Sequence, residues 1–260
     1  MGSARGSRIL VTTHSEIVAK ISQSIQPRVL KGLDDQQSWS LFKKMAFKEG
    51  EEQKNARFVE IGKEILKKCA GVPLAIRTIG HLLYFKKSEI EWRSFKTNEL
   101  SNICQNESDI LPTLKLSYDY LASHLKQCFA YCSLFPKDYE IDKSSLINMW
   151  MAQGFITLYD EKQCPEDVGH EYFMDLLWRS FFQEAKKDEF GNISKFKIHD
   201  LMHDLAIQVT GSDCTTINSK VKVIKEKTRH VLFEDRLHSS LEIPISLCKE
   251  RRIRTFLLPC

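Results

Sequence analysis

The chain has 260 residues, of which 42% are hydrophobic and 28% charged, with a formal net charge of +4. That balance fits two or three small globular domains and is too mild to call for a nucleic-acid partner. No apolar run approaches the roughly 20 residues that cross a bilayer, and MGSARGSRILVTTHS lacks the basic flank, apolar core and cleavage site of a secretory leader.

The first element is Arg8-Ile9-Leu10-Val11-Thr12-Thr13, whose consecutive apolar residues read as a strand buried on both faces of a parallel sheet. A single strand makes no sheet, so it is expected either to pair with a partner chain or to be a remnant of a larger domain. His14-Ser15-Glu16 then opens a short helix, with Ser15 as a plausible N-cap. Asp34 or Asp35 caps a helix carrying Trp39, Leu41, Phe42, Met45 and Ala46. A second helix, about Ala56 to Cys69, is closed by Gly71. A third begins at Val72-Pro73-Leu74, where a proline in the first turn loses no hydrogen bond, and it carries Ile76, Ile79, Leu82 and Leu83.

The polar segment Thr97 to Asp109 reads as a domain joint. Helices follow around Ile110 to Leu121, His124 to Phe135, Lys143 to Phe155 and Glu166 to Glu184. A hairpin then runs from Gln183 to Ile198 with Gly191-Asn192 at its turn. Several helices, a hairpin and a closing helix are a winged-helix-like order. In the tail, Val231-Leu232-Phe233 and Arg254 to Leu258 look like short strands about two dozen residues apart, a spacing compatible with entry into leucine-rich repeats.

The closing helix, KIHDLMHDLAIQV, poses the chemical question. Ile198, Leu201, Met202, Leu205, Ala206 and Val209 form the apolar stripe of an amphipathic helix, with His199 and His203 beside it. HDLMH differs from the zinc-protease pattern H-E-x-x-H by one acidic residue, so a zinc hydrolase through His199 and His203 is one reading. Asp is a methylene shorter than Glu, no third ligand is evident, and a hydrogen-bonded helix edge is the simpler alternative. No metal ligand set and no catalytic residue is assigned. The eight cysteines (Cys69, Cys104, Cys128, Cys132, Cys164, Cys214, Cys248 and Cys260) contain no C-x-x-C pair and read as reduced thiols of an intracellular protein. Cys128 and Cys132, one turn apart, are expected to pack in a core, as are Met149, Trp150, Met151 and Phe155.

Five stretches occur in one order: GSRILVTTH, GLDDQQSWSLFKKMAF, GKEILKKCAGVPLAIRTIG, CFAYCSLFPKDYEIDKSSLINMWMAQGFI and KIHDLMHD. Together they resemble plant disease-resistance proteins of the coiled-coil, nucleotide-binding (NB-ARC), leucine-rich-repeat type, over nearly the whole chain. The resemblance implies a mainly α fold in four parts. These are a remnant of the α/β P-loop domain (1–30), a helical ARC1-like domain (31–105), a winged-helix ARC2-like domain (106–212), and a linker with the start of leucine-rich repeats (213–260).

It also implies an ADP/ATP-controlled switch in plant defence, with magnesium as the nucleotide's companion ion. Gly71, Pro73 and Leu74 match the family's Gly-x-Pro-Leu motif and would border the adenine; a proline at a helix start presents a rigid apolar wall with no competing N–H. Ile198-His199-Asp200 matches the Met-His-Asp motif, so His199 would donate to the ADP β-phosphate as a latch while Asp200 orients the backbone. Met202-His203-Asp204 repeats the letters one turn too late, leaving His203 as a packed or surface neighbour. Thr13 and His14 stand at the end of the family's Thr-Thr strand. The family usually places Arg where His14 stands, and a neutral imidazole lacks its charge and donor fork.

No G-x-x-x-x-G-K-[ST] loop occurs, nor the acidic strand that holds magnesium. An N-terminally truncated, non-enzymatic member with weakened nucleotide binding is therefore expected. Its partners would be proteins: its own neighbouring domains, other copies in an oligomer, and an effector or guarded protein. The competing reading is a winged-helix DNA binder, against which stands EDVGHEYFMDLLWRSFFQEA, acidic and aromatic with only Arg179 basic.

Overall fold

The computed structural model describes residues 10–13, 16–21, 28–50, 56–101, 110–160, 162–217, 226–233 and 252–258, in two compact units, Met1–Gly32 and Leu33–Cys260. In the first, helix α1 spans Glu16–Ile21. The strand expected across Ile9 to Val11 is not seen in its described part: Leu10 is 92% and Val11 54% exposed, and no sheet includes them. A strand exists through its hydrogen-bonded neighbours, and an apolar run alone does not supply them.

The second unit begins with a helical layer. Helix α2 (Asp35–Ala46) opens on a capping box, in which the Gln37 amide donates to Asp34 Oδ1 at 2.7 Å. Helices α3 (Ala56–Lys67) and α4 (Pro73–Tyr84) follow. Helix α5 (Glu89–Ser94) opens on a second capping box, Ser88 with Glu91, and runs into a π-turn over Phe95–Glu99. The polar joint expected from Thr97 onward is thus helical as far as Glu99, because Trp92 and Phe95 are buried and hold that segment to the core; residues 102–109 lie outside the described ones. Phe42, Ile61, Ile65, Ile76, Ile79 and Leu83 complete this core.

The winged helix comes next. Helices α6 (Leu111–Asp119) and α7 (Ser123–Tyr131) lead through a 3-10 turn to strand β1 (Ile141–Asp142). Helix α8 (Lys143–Ala152) is capped by Asp142, whose Oδ1 accepts from the Ser145 amide at 2.7 Å. Helix α9 (Pro165–Trp178) precedes the hairpin of β2 (Phe182–Lys187) and β3 (Ile193–Ile198), and α10 (Asp200–Thr210) follows β3 directly. The sheet order is β1-β3-β2, antiparallel throughout.

Helix α9 stops at Trp178 rather than near Glu184. Ser180, at φ 67°, turns the chain so that Phe181 and Phe182 both enter the core with Phe129, Phe173, Phe196 and Trp150. The hairpin turn is as expected: Asp188 Oδ1 accepts from the Phe190 and Asn192 amides at 2.9 Å, and Gly191 takes φ 83°. Cys128 and Cys132 are fully buried, and burial pushes both thiols up.

The last layer is a parallel sheet in chain order, β4 (Cys214–Ile217), β5 (His230–Phe233) and β6 (Thr255–Leu257). Leu232 packs it into the winged-helix core, and one hydroxyl adds a polar tie. Thr255 Oγ1 lies 2.9 Å from Gln153 Nε2, 3.0 Å from His230 Nδ1 and 3.4 Å from the Tyr131 hydroxyl. One hydroxyl donates once and accepts twice, so Thr255 donates to His230 and accepts from the other two.

Candidate functional site

Two short backbone features carry the residues singled out above. The first is the turn between α3 and α4. Ala70 (φ 48°) and Gly71 (φ 70°) are both left-handed, and the Val72 amide closes the turn on the Cys69 carbonyl at 2.9 Å. Glycine suits the second position because it has no Cβ to clash there. The Leu33 amide donates to the Gly71 carbonyl at 2.8 Å, tying the approach to α2 onto the same turn. Pro73 sits in the first turn of α4 and is exposed, whereas Leu74 is half-buried and packs on the winged-helix core.

The second feature is the step from β3 into α10. Ile198 ends the strand buried, and His199 becomes the helix N-cap. Its Nδ1 accepts from the Leu201 amide at 3.2 Å, the task usually given to a Ser, Thr, Asp or Asn oxygen. A neutral imidazole that accepts through Nδ1 carries its proton on Nε2, so the cap sets the tautomer. Asp200 occupies the first turn, where its negative charge faces the positive end of the helix dipole.

One turn on, His203 does something different. It is buried and donates from Nε2 to the Phe135 carbonyl at 2.6 Å, while its Nδ1 has no hydrogen-bond partner. The expected packed neighbour is what the structure holds. The two imidazoles are thus committed to separate backbone groups, and among the described residues no group of three or more His, Cys, Asp or Glu is placed to hold a metal. Asp204 pairs with Lys137 at 2.6 Å.

The structure brings Leu74 into the packed cluster that also contains Ile198, just before the His199 cap, and Met202, in the first turn after it. Thr13 belongs to the Met1–Gly32 unit, and His14 lies outside the described residues. On the wing, Lys186 and Lys195 pair with Glu140, and Lys197 pairs with Glu184 at 3.3 Å, so three of its four strand lysines have acidic partners. The outward side of α9 carries Glu166, Asp167 and Glu171.

Two groups of residues were not found by sequence reasoning. One is the Thr255 hub; its signal was that His230 and Thr255 share a register position in adjacent strands. The other is the contact of His81 with Trp178, whose rings stack at 4.2 Å between centroids, and nothing local in the sequence announces it.

The disease resistance protein winged-helix domain family model matches residues 134–206, the segment from the end of the 3-10 turn into α10. Disease resistance protein RGA4 of Solanum bulbocastanum is 46% identical over 223 residues, covering 86% of this chain and 22% of RGA4. RGA2 of the same plant is 43% identical over 227 residues, covering 87% of this chain and 22% of its own length. RPP13-like protein 1 of Arabidopsis thaliana is 35% identical over 257 residues, 98% of this chain and 24% of that protein. The chain belongs with the plant disease-resistance proteins. It spans less than a quarter of the length of these disease-resistance relatives. Within it, the winged-helix match of the disease-resistance family includes both His199 and His203. No helix among the described residues is long and apolar enough to cross a membrane.

Proposed function

We propose that this chain is the helical and winged-helix part of an ADP/ATP-controlled switch in plant defence, and that it signals through protein contacts rather than by catalysis. The observation that carries the reading is the His199 cap, which sets the ring's proton on Nε2, the nitrogen opposite the one that caps α10. That N–H is the donor for the β-phosphate of ADP, and a charge-assisted bond of this kind is about twice as strong as a neutral one. Gly71 and Pro73 supply the adenine wall. Leu74 bears on it only through the surface left exposed by its packing on the winged helix. Asp200 steadies the first turn. The nucleotide would hold its phosphates to α10 and its base to α4, joining the two helical layers, and exchange would release that tie. Thr13 and His14 are proposed as nucleotide-binding residues on the strength of the sequence resemblance alone, and the first of the two parallel-strand repeats, around β5, as entry to leucine-rich repeats.

The test is an NMR titration with millimolar ADP, sensitive enough to register weak binding. The Leu201 amide and the Gly71 to Leu74 backbone should shift together, and His199→Ala should abolish both changes while α10 stays folded. Signals that do not move in the wild-type protein would overturn the nucleotide reading.

A further inference from the structure

Helix α4 grips the end of α9 with a face that its own core does not use. Arg77, His81 and Phe85 follow one another at helical spacing along it. Arg77 Nε donates to Ser180 Oγ at 3.1 Å, the His81 ring stacks on Trp178, and the Arg179 guanidinium lies 4.9 Å over the Phe85 ring. Tyr84 and Phe85 each meet Trp178 edge-on at 5.2 Å. This seam joins two layers whose apolar cores are otherwise largely separate.

The seam is closed at a polar cost. His81 is buried, and its Nδ1 has no hydrogen-bond partner; neither has Thr78 Oγ1 on the same helix. Opening would hydrate the His81 ring, whereas the aromatic contacts hold the seam shut, so the two terms oppose each other. Beside it lies a cleft of about 520 Å³ lined by α2, α4 and α9 residues, which gives water a short path to the ring.

We infer that His81 and Trp178 form a proton-sensitive clasp between the helical and winged-helix layers: a neutral His81 keeps it closed, and a protonated one releases it. The clasp uses no nucleotide contact and stands whether or not ADP binds. The charges around the ring are known. Arg77 and Arg179 are the nearest, with Asp175 paired to Arg179 at 2.7 Å, and Lys44, Lys48 and Glu49 line the cleft. The positive side dominates and opposes a charged imidazole.

Burial first, and then Arg77, push the His81 pKa down from 6.5 to about 4, while the Arg179 backbone carbonyl, hydrogen-bonded to the ring, opposes the shift. A group depressed in the closed state favours closure above its open-state pKa and loses that preference as pH falls from about 6.5 to about 4. The linkage predicts a rise of about twentyfold in the opening constant between pH 7 and pH 5.

Amide hydrogen exchange of the full chain reads this directly, after correction for the intrinsic pH dependence of exchange. The amides of α4 and of Trp178 to Ser180 should open about twentyfold more at pH 5 than at pH 7. His81→Phe, which keeps a ring on Trp178 but cannot titrate, should flatten that dependence. A flat wild-type profile, or an equal rise in His81→Phe, overturns the clasp. A titration of the His81 ring in the wild-type protein decides independently of any variant's folding: a pKa well below 6.5 supports the clasp and one near 6.5 overturns it.

Discussion

Helices α10 and α4 carry the two halves of the proposed site, and they are built differently. Helix α10 buries one side, through Met202, Leu205 and Ala206, and shows Ile207 and Gln208 to solvent. Helix α4 buries Ala75, Ile76, Thr78, Ile79, Gly80, His81, Leu82 and Leu83, leaving few positions outside. A helix with one apolar stripe keeps a solvent face, and a helix buried on most sides lies between two bodies. The first is a dependable platform for a ligand donor. The second is a place where two bodies can part, and it holds two buried polar groups without partners, Thr78 and His81, where α10 holds one, His203.

Substitutions should separate the two kinds of helix. The largest effect is expected from Phe173→Ala, which empties the aromatic centre beneath the wing, where Phe173 meets Phe196 at 5.0 Å and Phe182 at 5.4 Å. It should cost about 3–5 kcal/mol in denaturant unfolding and destabilise α10 more than α4. Thr255→Val keeps the shape but removes the hub's hydroxyl, leaving His230, Gln153 and Tyr131 without that partner. A loss of about 2 kcal/mol is expected, seen as faster exchange in β5 and β6, and Thr255→Ser should restore most of it.

Gly80→Ala sharpens the contrast within the helical layer. An added Cβ would lie 2.6 Å from Met45 Cβ, so α2 must move away from α4. We expect a cost of about 1–3 kcal/mol by thermal unfolding, with the winged-helix signals little changed. The smallest effect is Asp34→Ala, which removes the α2 capping box and should cost about 1 kcal/mol. An effect of that size on the His199 environment would contradict the separation of the two layers.

Much of this was legible in the sequence, and what was hidden has a common cause. The α2 cap, the proline start of α4, the hairpin turn and the α10 stripe are local patterns, set by residues within a turn or two of each other. His199 and His203 were separated by the family's Met-His-Asp motif alone; periodicity put both on one helix, and that His199 is instead its N-cap came from the structure. Strand β1 is two residues long and exists only by pairing with β3, more than fifty residues away. Strand β4, CTTI, has too little apolar character to show as an isolated run. The early end of α9 follows from Phe181 and Phe182 both being needed in the core, which no helical periodicity reveals. The His81 and Trp178 contact joins residues nearly a hundred positions apart.

The central claim is that α10's own first turn fixes the tautomer of His199 and so aims a proton at the nucleotide. Long-range nitrogen–proton NMR correlations of the histidine rings test it most directly. The account predicts a neutral His199 protonated on Nε2, with Nδ1 bearing the signature of an accepted hydrogen bond from Leu201, and an Nε2 resonance that moves when ADP is added. A His199 protonated on Nδ1, or an Nε2 signal indifferent to ADP, would contradict it.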